Sequence, residues 1–181
     1  MRRLLVMMLM ALSVTAVAPA LTASPAFAAQ ARCTVGPFGS PWWWGNVNAR
    51  IRTGTTKVLA VEPPYSEGSD AYLWGFNDEN GQKWVHQCMG YDSVRGLNNW
   101  RLRYAADTYY CLDIVGSSAV LLPCNLGGST QLWQRVSIGS YTALRNVDYS
   151  DSCLQPVGAG TANGTIVSMA TCHYGDSQLW W

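Results

Sequence analysis

The stretch CLDIVGSSAVLLPCNLGGSTQLW, residues 111–133, decides how the rest of the chain is read, because its framework returns on both sides of it. Its ending, Gln131-Leu132-Trp133, has counterparts in Gln82-Lys83-Trp84 and Gln178-Leu179-Trp180, offset by 49 and 47 residues. Each copy opens on an apolar residue followed by arginine, at Ile51-Arg52, Leu102-Arg103 and Leu144-Arg145. A leucine follows 8–10 residues later, at Leu59, Leu112 and Leu154, and the closing tryptophan comes 21–26 residues after that. One Gln-x-Trp arises easily by accident; three in phase with two further landmarks mark one structural unit used three times.

Within the units the apolar residues alternate or run briefly, as at Arg101-Leu102-Arg103-Tyr104, Ala119-Val120-Leu121-Leu122, Tyr141-Thr142-Ala143-Leu144 and Ile166-Val167-Ser168-Met169. Turn-formers such as Asn80-Gly81, Gly127-Gly128 and Asn163-Gly164 separate them, and no long helical period interrupts the pattern. This predicts an all-β fold of many short strands. Three copies must bury one shared core, so a pseudo-threefold barrel is expected rather than a solenoid. Trp84, Trp133 and Trp180 would plug its centre, with Gln82, Gln131 and Gln178 each fixing a turn through the side-chain amide.

The chain begins with Arg2-Arg3, an apolar run from Leu4 to about Leu21, and the small-residue exit Ala26-Phe27-Ala28-Ala29. That reads as a signal peptide over residues 1–29, with a membrane anchor as the competing reading. Pro19 and the Ala-x-Ala site favour cleavage, which leaves a soluble, secreted, extracellular chain with no membrane span. The remaining length fits one domain. Losing Arg2 and Arg3 leaves ten basic against eleven acidic residues. Such a balance is poorly suited to binding nucleic acid or an anionic membrane surface, which both need clustered cations.

All six cysteines fall after the leader, and an even number in an exported chain reads as a disulfide set. The repeats select the pairing: Cys111 with Cys124 inside the second unit, Cys153 with Cys172 inside the third, and Cys33 with Cys88 left over. The clusters His86-x-Cys88 and Cys172-His173 lack the paired spacing of a zinc site, so no metal or other cofactor is expected.

Cys111-Leu112-Asp113-Ile114, Cys124 and Gln131-Leu132-Trp133, echoed by Cys153-Leu154, Cys172 and Gln178-Leu179-Trp180, resemble the ricin B-type lectin family. The resemblance covers residues 46–181 and implies a β-trefoil, preceded here by a tryptophan-rich N-terminal arm over residues 30–45. The first unit departs most from the pattern, with Val58 and Phe76 where the cysteines would stand. It also carries an insertion over residues 62–70, rich in Pro, Gly and Ser, that reads as a surface loop.

The resemblance implies a galactose-type site in each unit. An acid just after Cys-Leu accepts from sugar hydroxyls, an aromatic ring two residues before the second cysteine stacks on the pyranose, and an asparagine before Gln-x-Trp adds a hydrogen bond. The second unit has Asp113 but Leu122 and Thr130; the first has Trp74, with Tyr72 nearby, but Ala60 and Gly81; the third has Gln155, Ala170 and Ser177. No unit holds both acid and ring. The candidate ligand contacts are therefore Trp74 and Tyr72 in the first unit and Asp113, Asn125 and Gln131 in the second. Asp113 has an equally plain reading as a residue bonding its own turn.

Trp42, Trp43 and Trp44 stand in a row, and successive side chains of an extended chain face opposite ways, so they cannot all be buried on one strand. They are a candidate contact for a protein partner, or an arm folded back on the trefoil. A leading arm before a trefoil with eroded sugar positions is similar in layout to the lectin-like accessory subunits of cytolethal distending toxins. No serine or carboxylate is spaced to form a triad with His86 or His173, and Asp78-Glu79 reads as a solvated turn. The expected function is non-catalytic carbohydrate binding, with a protein-interaction or toxin-accessory role as the alternative.

Overall fold

The computed structural model describes residues 32–33, 50–52, 56–125, 128–149 and 151–181, and the backbone alone of residues 44–47. The signal segment, Trp42, Trp43 and the side chain of Trp44 lie outside the described residues.

Among the described residues twelve strands follow in order. They are β1 (Trp44–Val47), β2 (Lys57–Val61), β3 (Ala71–Gly75), β4 (Trp84–Asp92), β5 (Leu97–Tyr104), β6 (Tyr110–Val115), β7 (Ser118–Pro123), β8 (Trp133–Ile138), β9 (Tyr141–Asn146), β10 (Ser152–Pro156), β11 (Thr165–Thr171) and β12 (Leu179–Trp180). The strands expected at 101–104, 119–122, 141–144 and 166–169 all lie within these bounds.

Two layers result. The first is a closed barrel in which β1 pairs β4, β4 pairs β5, β5 pairs β8, β8 pairs β9 and β9 pairs β12. A bridge between Ile51 and Trp180, with Arg50 and Trp181 exchanging backbone hydrogen bonds at 3.1 and 3.0 Å, closes the ring. The second layer is a cap of three antiparallel hairpins, β2–β3, β6–β7 and β10–β11. Each hairpin is tied to the next by main-chain bonds, Gly68 N–H to Leu121 O at 2.7 Å, Met169 N–H to Ser117 O at 2.8 Å and Gly164 N–H to Leu73 O at 2.8 Å. This is the β-trefoil.

The repeated landmarks of the sequence meet in one core cluster: Ile51, Leu102 and Leu144; Leu59, Leu112 and Leu154; Trp84, Trp133 and Trp180. The three indoles are 0, 0 and 2% exposed. At roughly 25 cal/mol per Å² and about 150–250 Å² per ring, each stabilises the fold by about 4–6 kcal/mol before entropy is counted. A buried indole N–H needs an acceptor, and each finds the same one in its own unit. Trp84, Trp133 and Trp180 donate to the carbonyls of Leu59, Leu112 and Leu154 at 3.1, 3.2 and 3.2 Å. The spacing from leucine to tryptophan is thus the reach of one hydrogen bond across a unit.

Three disulfides pair Cys111 with Cys124, Cys153 with Cys172 and Cys33 with Cys88, at Cα separations of 5.1, 4.9 and 6.1 Å. The first two staple the cap hairpins of units two and three. In the first unit Val58 is buried instead, and exposed Phe76 lies under the Arg50 guanidinium at 4.4 Å. Cys33 holds the start of the described chain to β4, helped by its backbone N–H on Asn98 Oδ1 at 2.9 Å.

Candidate functional site

Hairpin register places the three units in correspondence. Leu59 pairs Leu73, Leu112 pairs Leu121 and Leu154 pairs Met169, and the side chains of these residues turn to the core or pack against it. Side chains alternate along a strand, so the neighbouring residues turn outward. Ala60, Asp113 and Gln155 therefore occupy one equivalent position, and Trp74, Leu122 and Ala170 another.

The glutamine of each Gln-x-Trp sits under this surface with its amide used in the same way three times. Its Oε1 accepts the backbone N–H of Asn77, Asn125 or His173 at 3.0, 2.8 and 2.8 Å. Its Nε2 donates to the carbonyl of Gly75, Pro123 or Thr171 at 2.8, 2.9 and 2.9 Å. The glutamines are turn clamps, as the sequence suggested.

The second Nε2 hydrogen separates the units. In the second it goes to Asp113 Oδ2 at 2.8 Å, and in the third to Gln155 Oε1 at 2.9 Å. In the first, Ala60 offers no acceptor, and among the described residues Gln82 Nε2 has only its carbonyl bond. Gln82 is 2% exposed, so this hydrogen has little access to bulk water.

Above Ala60 the first unit opens a cavity of about 430 Å³. Its floor is Ala60 and Gln82; Tyr72 and Trp74, two residues apart on β3, form one wall. Their rings meet edge to face at 5.7 Å, and Trp74 remains 40% exposed. Glu62 and Tyr65 enter from the loop after β2, Glu79 from the turn before β4, and Gly164 and Ile166 from the third unit. Tyr72 donates to Val61 O at 3.3 Å; burial, then the charge of Glu62, the neighbouring Tyr65 and Glu79, raise its pKa, so its hydroxyl keeps its proton.

The inserted loop therefore does more than cover surface. Tyr65 folds back so that its ring packs on Tyr104 at 5.2 Å and lies against Gly81. A Cβ on Gly81 would meet Tyr65 Cε1 and the Val61 carbonyl, both at 2.9 Å, which explains glycine where asparagine was the expected residue. Asp78 and Glu79 are both exposed, in keeping with the solvated-turn reading; Asp78 pairs with Lys83 at 3.3 Å, and Glu79 also lines the cavity.

The structure thus brings Trp74 and Tyr72 together in a cavity and keeps the second-unit candidates apart from it. Asp113 is 6% exposed, with Oδ1 on the Ile114 N–H at 2.6 Å and Oδ2 on Gln131. Gln131 is 1% exposed and its amide is fully engaged, so it positions Asp113 and the turn instead of facing a ligand. Arg101, also buried, donates to the carbonyl of Asn125, and Asp113 acts on it as a neighbouring negative charge. In the third unit His173 Nδ1 accepts the Gly175 N–H at 3.0 Å, which places its proton on Nε2, facing Gln155 Oε1 at 3.2 Å. Tyr65, Glu62 and Glu79 were not legible as site residues. Among the described residues no group of three or more His, Cys, Asp or Glu could hold a metal ion.

The cap of the first unit thus carries an open cavity lined by rings and carboxylates. Residues 47–180 match the model of the ricin-type beta-trefoil lectin domain, and the chain belongs to that family. Comparison with curated proteins gave no match. Among solved structures it is similar to ThreeFoil, a designed threefold symmetric protein, at 24% identity and a TM-score of 0.61, covering 74% of this chain and 94% of that one. It is also similar to the C-half of an earthworm R-type lectin in complex with GalNAc, at 16% identity and a TM-score of 0.57, covering 76% and 96%. A mosquitocidal holotoxin matches at 16% identity and a TM-score of 0.64; the match covers 75% of this chain and spans only 17% of that one.

Proposed function

We propose that the protein is a secreted, non-catalytic lectin that binds a glycan in the cavity of its first unit. The observation that carries this is the second N–H of Gln82, which has no acceptor among the described residues, in a cavity also lined by Ala60 and the 40% exposed Trp74. In the other two units that hydrogen is satisfied from within; here a ligand oxygen can take the place of the missing acceptor. Burial of an unmet donor costs about 1–3 kcal/mol, which a sugar hydroxyl would recover on binding. Trp74 supplies a flat surface for the C–H face of a pyranose, and the carboxylates of Glu62 and Glu79 accept from neighbouring hydroxyls. Family membership and the GalNAc complex of the earthworm lectin support a sugar as the ligand class. Export is supported by the three disulfides and the leader-like segment 1–29.

A glycan array on the mature protein tests the reading. Trp74→Ala is expected to weaken the bound glycan at least tenfold, whereas Asp113→Asn, which keeps an acceptor for Gln131, leaves binding unchanged. Loss of binding in Asp113→Asn with none in Trp74→Ala moves the site to the second unit and overturns the proposal. Bound oligosaccharide recovered after long incubation is expected intact, and shortened products refute the non-catalytic assignment. Protein recovered from culture medium is expected to start near Ala29 or Gln30.

A further inference from the structure

We infer that the first-unit cavity selects a cationic amino sugar, a pyranose carrying a free protonated amine, over neutral and N-acetylated sugars. The inference rests on the glycan reading above and adds the charge of the ligand.

The charge of the cavity is one-sided. Its lining includes two carboxylates, Glu62 and Glu79, and no lysine, arginine or histidine. Nearby cations are committed elsewhere: Lys83 pairs with Asp78 at 3.3 Å, and Lys57 hydrogen-bonds Asn163. Among the described residues neither Glu62 nor Glu79 forms an ion pair. Their charges are felt at the cavity lining: after burial, Glu62, Tyr65 and Glu79 raise the pKa of the Tyr72 hydroxyl, which donates to Val61 O.

Three aromatic rings, Tyr65, Tyr72 and Trp74, line the same space. An aromatic face is negative at its centre and attracts an ammonium as well as a C–H surface. Rings with carboxylates at their edge suit a cation better than a neutral hydroxyl. An acetyl group on the amine would remove the charge and add bulk on the side of the carboxylates. The floor asks for something different: Gln82 Nε2 is a donor, and needs a ligand acceptor. A ligand that meets both ends carries a hydroxyl or ring oxygen at one side and an ammonium at the other. An amino sugar has both within one ring; a simple alkylamine lacks the acceptor, and a neutral hexose lacks the cation.

The test is titration calorimetry of the mature protein at mildly acidic pH, where the amine is protonated. The probes are a β-1,4-linked glucosamine tetramer, its fully N-acetylated form, lactose and a lysine tetramer. The glucosamine tetramer is expected to bind at least tenfold tighter than the other three. Glu62→Gln and Glu79→Gln are each expected to weaken it roughly three- to tenfold, and the double variant to erase the preference over the N-acetylated form. Both glutamates are exposed, and an unchanged thermal midpoint shows that the variants fold. Equal or tighter binding of the N-acetylated tetramer or lactose, lost in Trp74→Ala, overturns this inference and leaves the glycan reading standing. Equal binding of the lysine tetramer, lost in the double variant, shows selection of charge alone and also overturns it. No binding of any saccharide overturns both.

Discussion

His86 gives the fold a definite response to acid. It lies on β4 opposite Leu102, 6% exposed, and neither ring nitrogen has a hydrogen-bond partner among the described residues. Burial, with the charge of Arg135 second, pushes the imidazole down from 6.5 to about 4. The folded state therefore keeps His86 neutral while the unfolded chain takes up a proton as pH falls below 6.5. Stability is unaffected above that value, falls between 6.5 and about 4, and levels off where the folded state protonates too. At pH 5 the linkage amounts to about 2 kcal/mol, and the limit at lower pH is about 3 kcal/mol. For a domain of this size that is a drop in melting temperature of roughly 4–8 °C at pH 5.

The assay is urea unfolding from pH 7.5 to 4 on the wild type and His86→Leu. The variant loses no hydrogen bond described for the ring, so at neutral pH it is expected to match or exceed the wild type, and its stability is expected to stay flat across the window. Asp92 does not confuse the result. Burial raises its pKa, but bonds from Arg95, Gln134 and Val94 outweigh that and leave it below 3.8, so its contribution holds above 3.8 and is lost only as pH falls further. Equal slopes in wild type and variant between pH 6.5 and 4 would refute the account of His86.

Three further outcomes follow from the packing. Trp133→Phe keeps most of the buried ring but leaves Leu112 O without its donor and opens a small void, for an expected loss of about 2–3 kcal/mol by urea midpoint. Gln131→Ala strands the Asn125 N–H, the Pro123 carbonyl and Asp113 together, for about 2–4 kcal/mol, and Gln82→Ala, with no partner at Ala60 to lose, is expected to cost less. Gly81→Ala forces Tyr65 off its seat, costing about 1–3 kcal/mol in thermal unfolding and weakening any saccharide held by Trp74.

The barrel was legible because its determinants repeat. Trp84, Trp133 and Trp180 each need one carbonyl, and the chain supplies it from Leu59, Leu112 and Leu154, so the hydrogen bond leaves a spacing that can be read directly. The disulfides of units two and three were legible for the same reason. Trp74 and Tyr72 could be picked out, since an aromatic at the equivalent of Leu122 and Ala170 stands out by comparison. The rest of the cavity has no equivalent in the other units. Pro, Gly and Ser in residues 62–70 signal a loop but not that Tyr65 turns back onto Gly81, and nothing local to Asn77-Asp78-Glu79-Asn80 separates the acid that meets Lys83 from the one that meets the cavity. These placements come from contacts between segments far apart in sequence, which periodicity does not encode.

The three caps also show why one fold can carry three unlike surfaces. Every scaffold bond of a unit, indole to leucine carbonyl and glutamine to turn, ends on main chain, and any residue supplies a main-chain group. The positions held by Ala60, Asp113 and Gln155, and by Trp74, Leu122 and Ala170, take no part in those bonds beyond one optional glutamine hydrogen. Their identity is free to differ without loss of the barrel. Where the optional hydrogen is met by Asp113 or Gln155, the unit closes on itself; where Ala60 leaves it unmet, the same turn becomes the floor of a cavity. Ala60→Asp should therefore close the first unit as the second is closed, capturing Gln82 Nε2 and abolishing saccharide binding while stability rises or holds. Unchanged affinity in that variant would show that the spare hydrogen of Gln82 has no part in recognition.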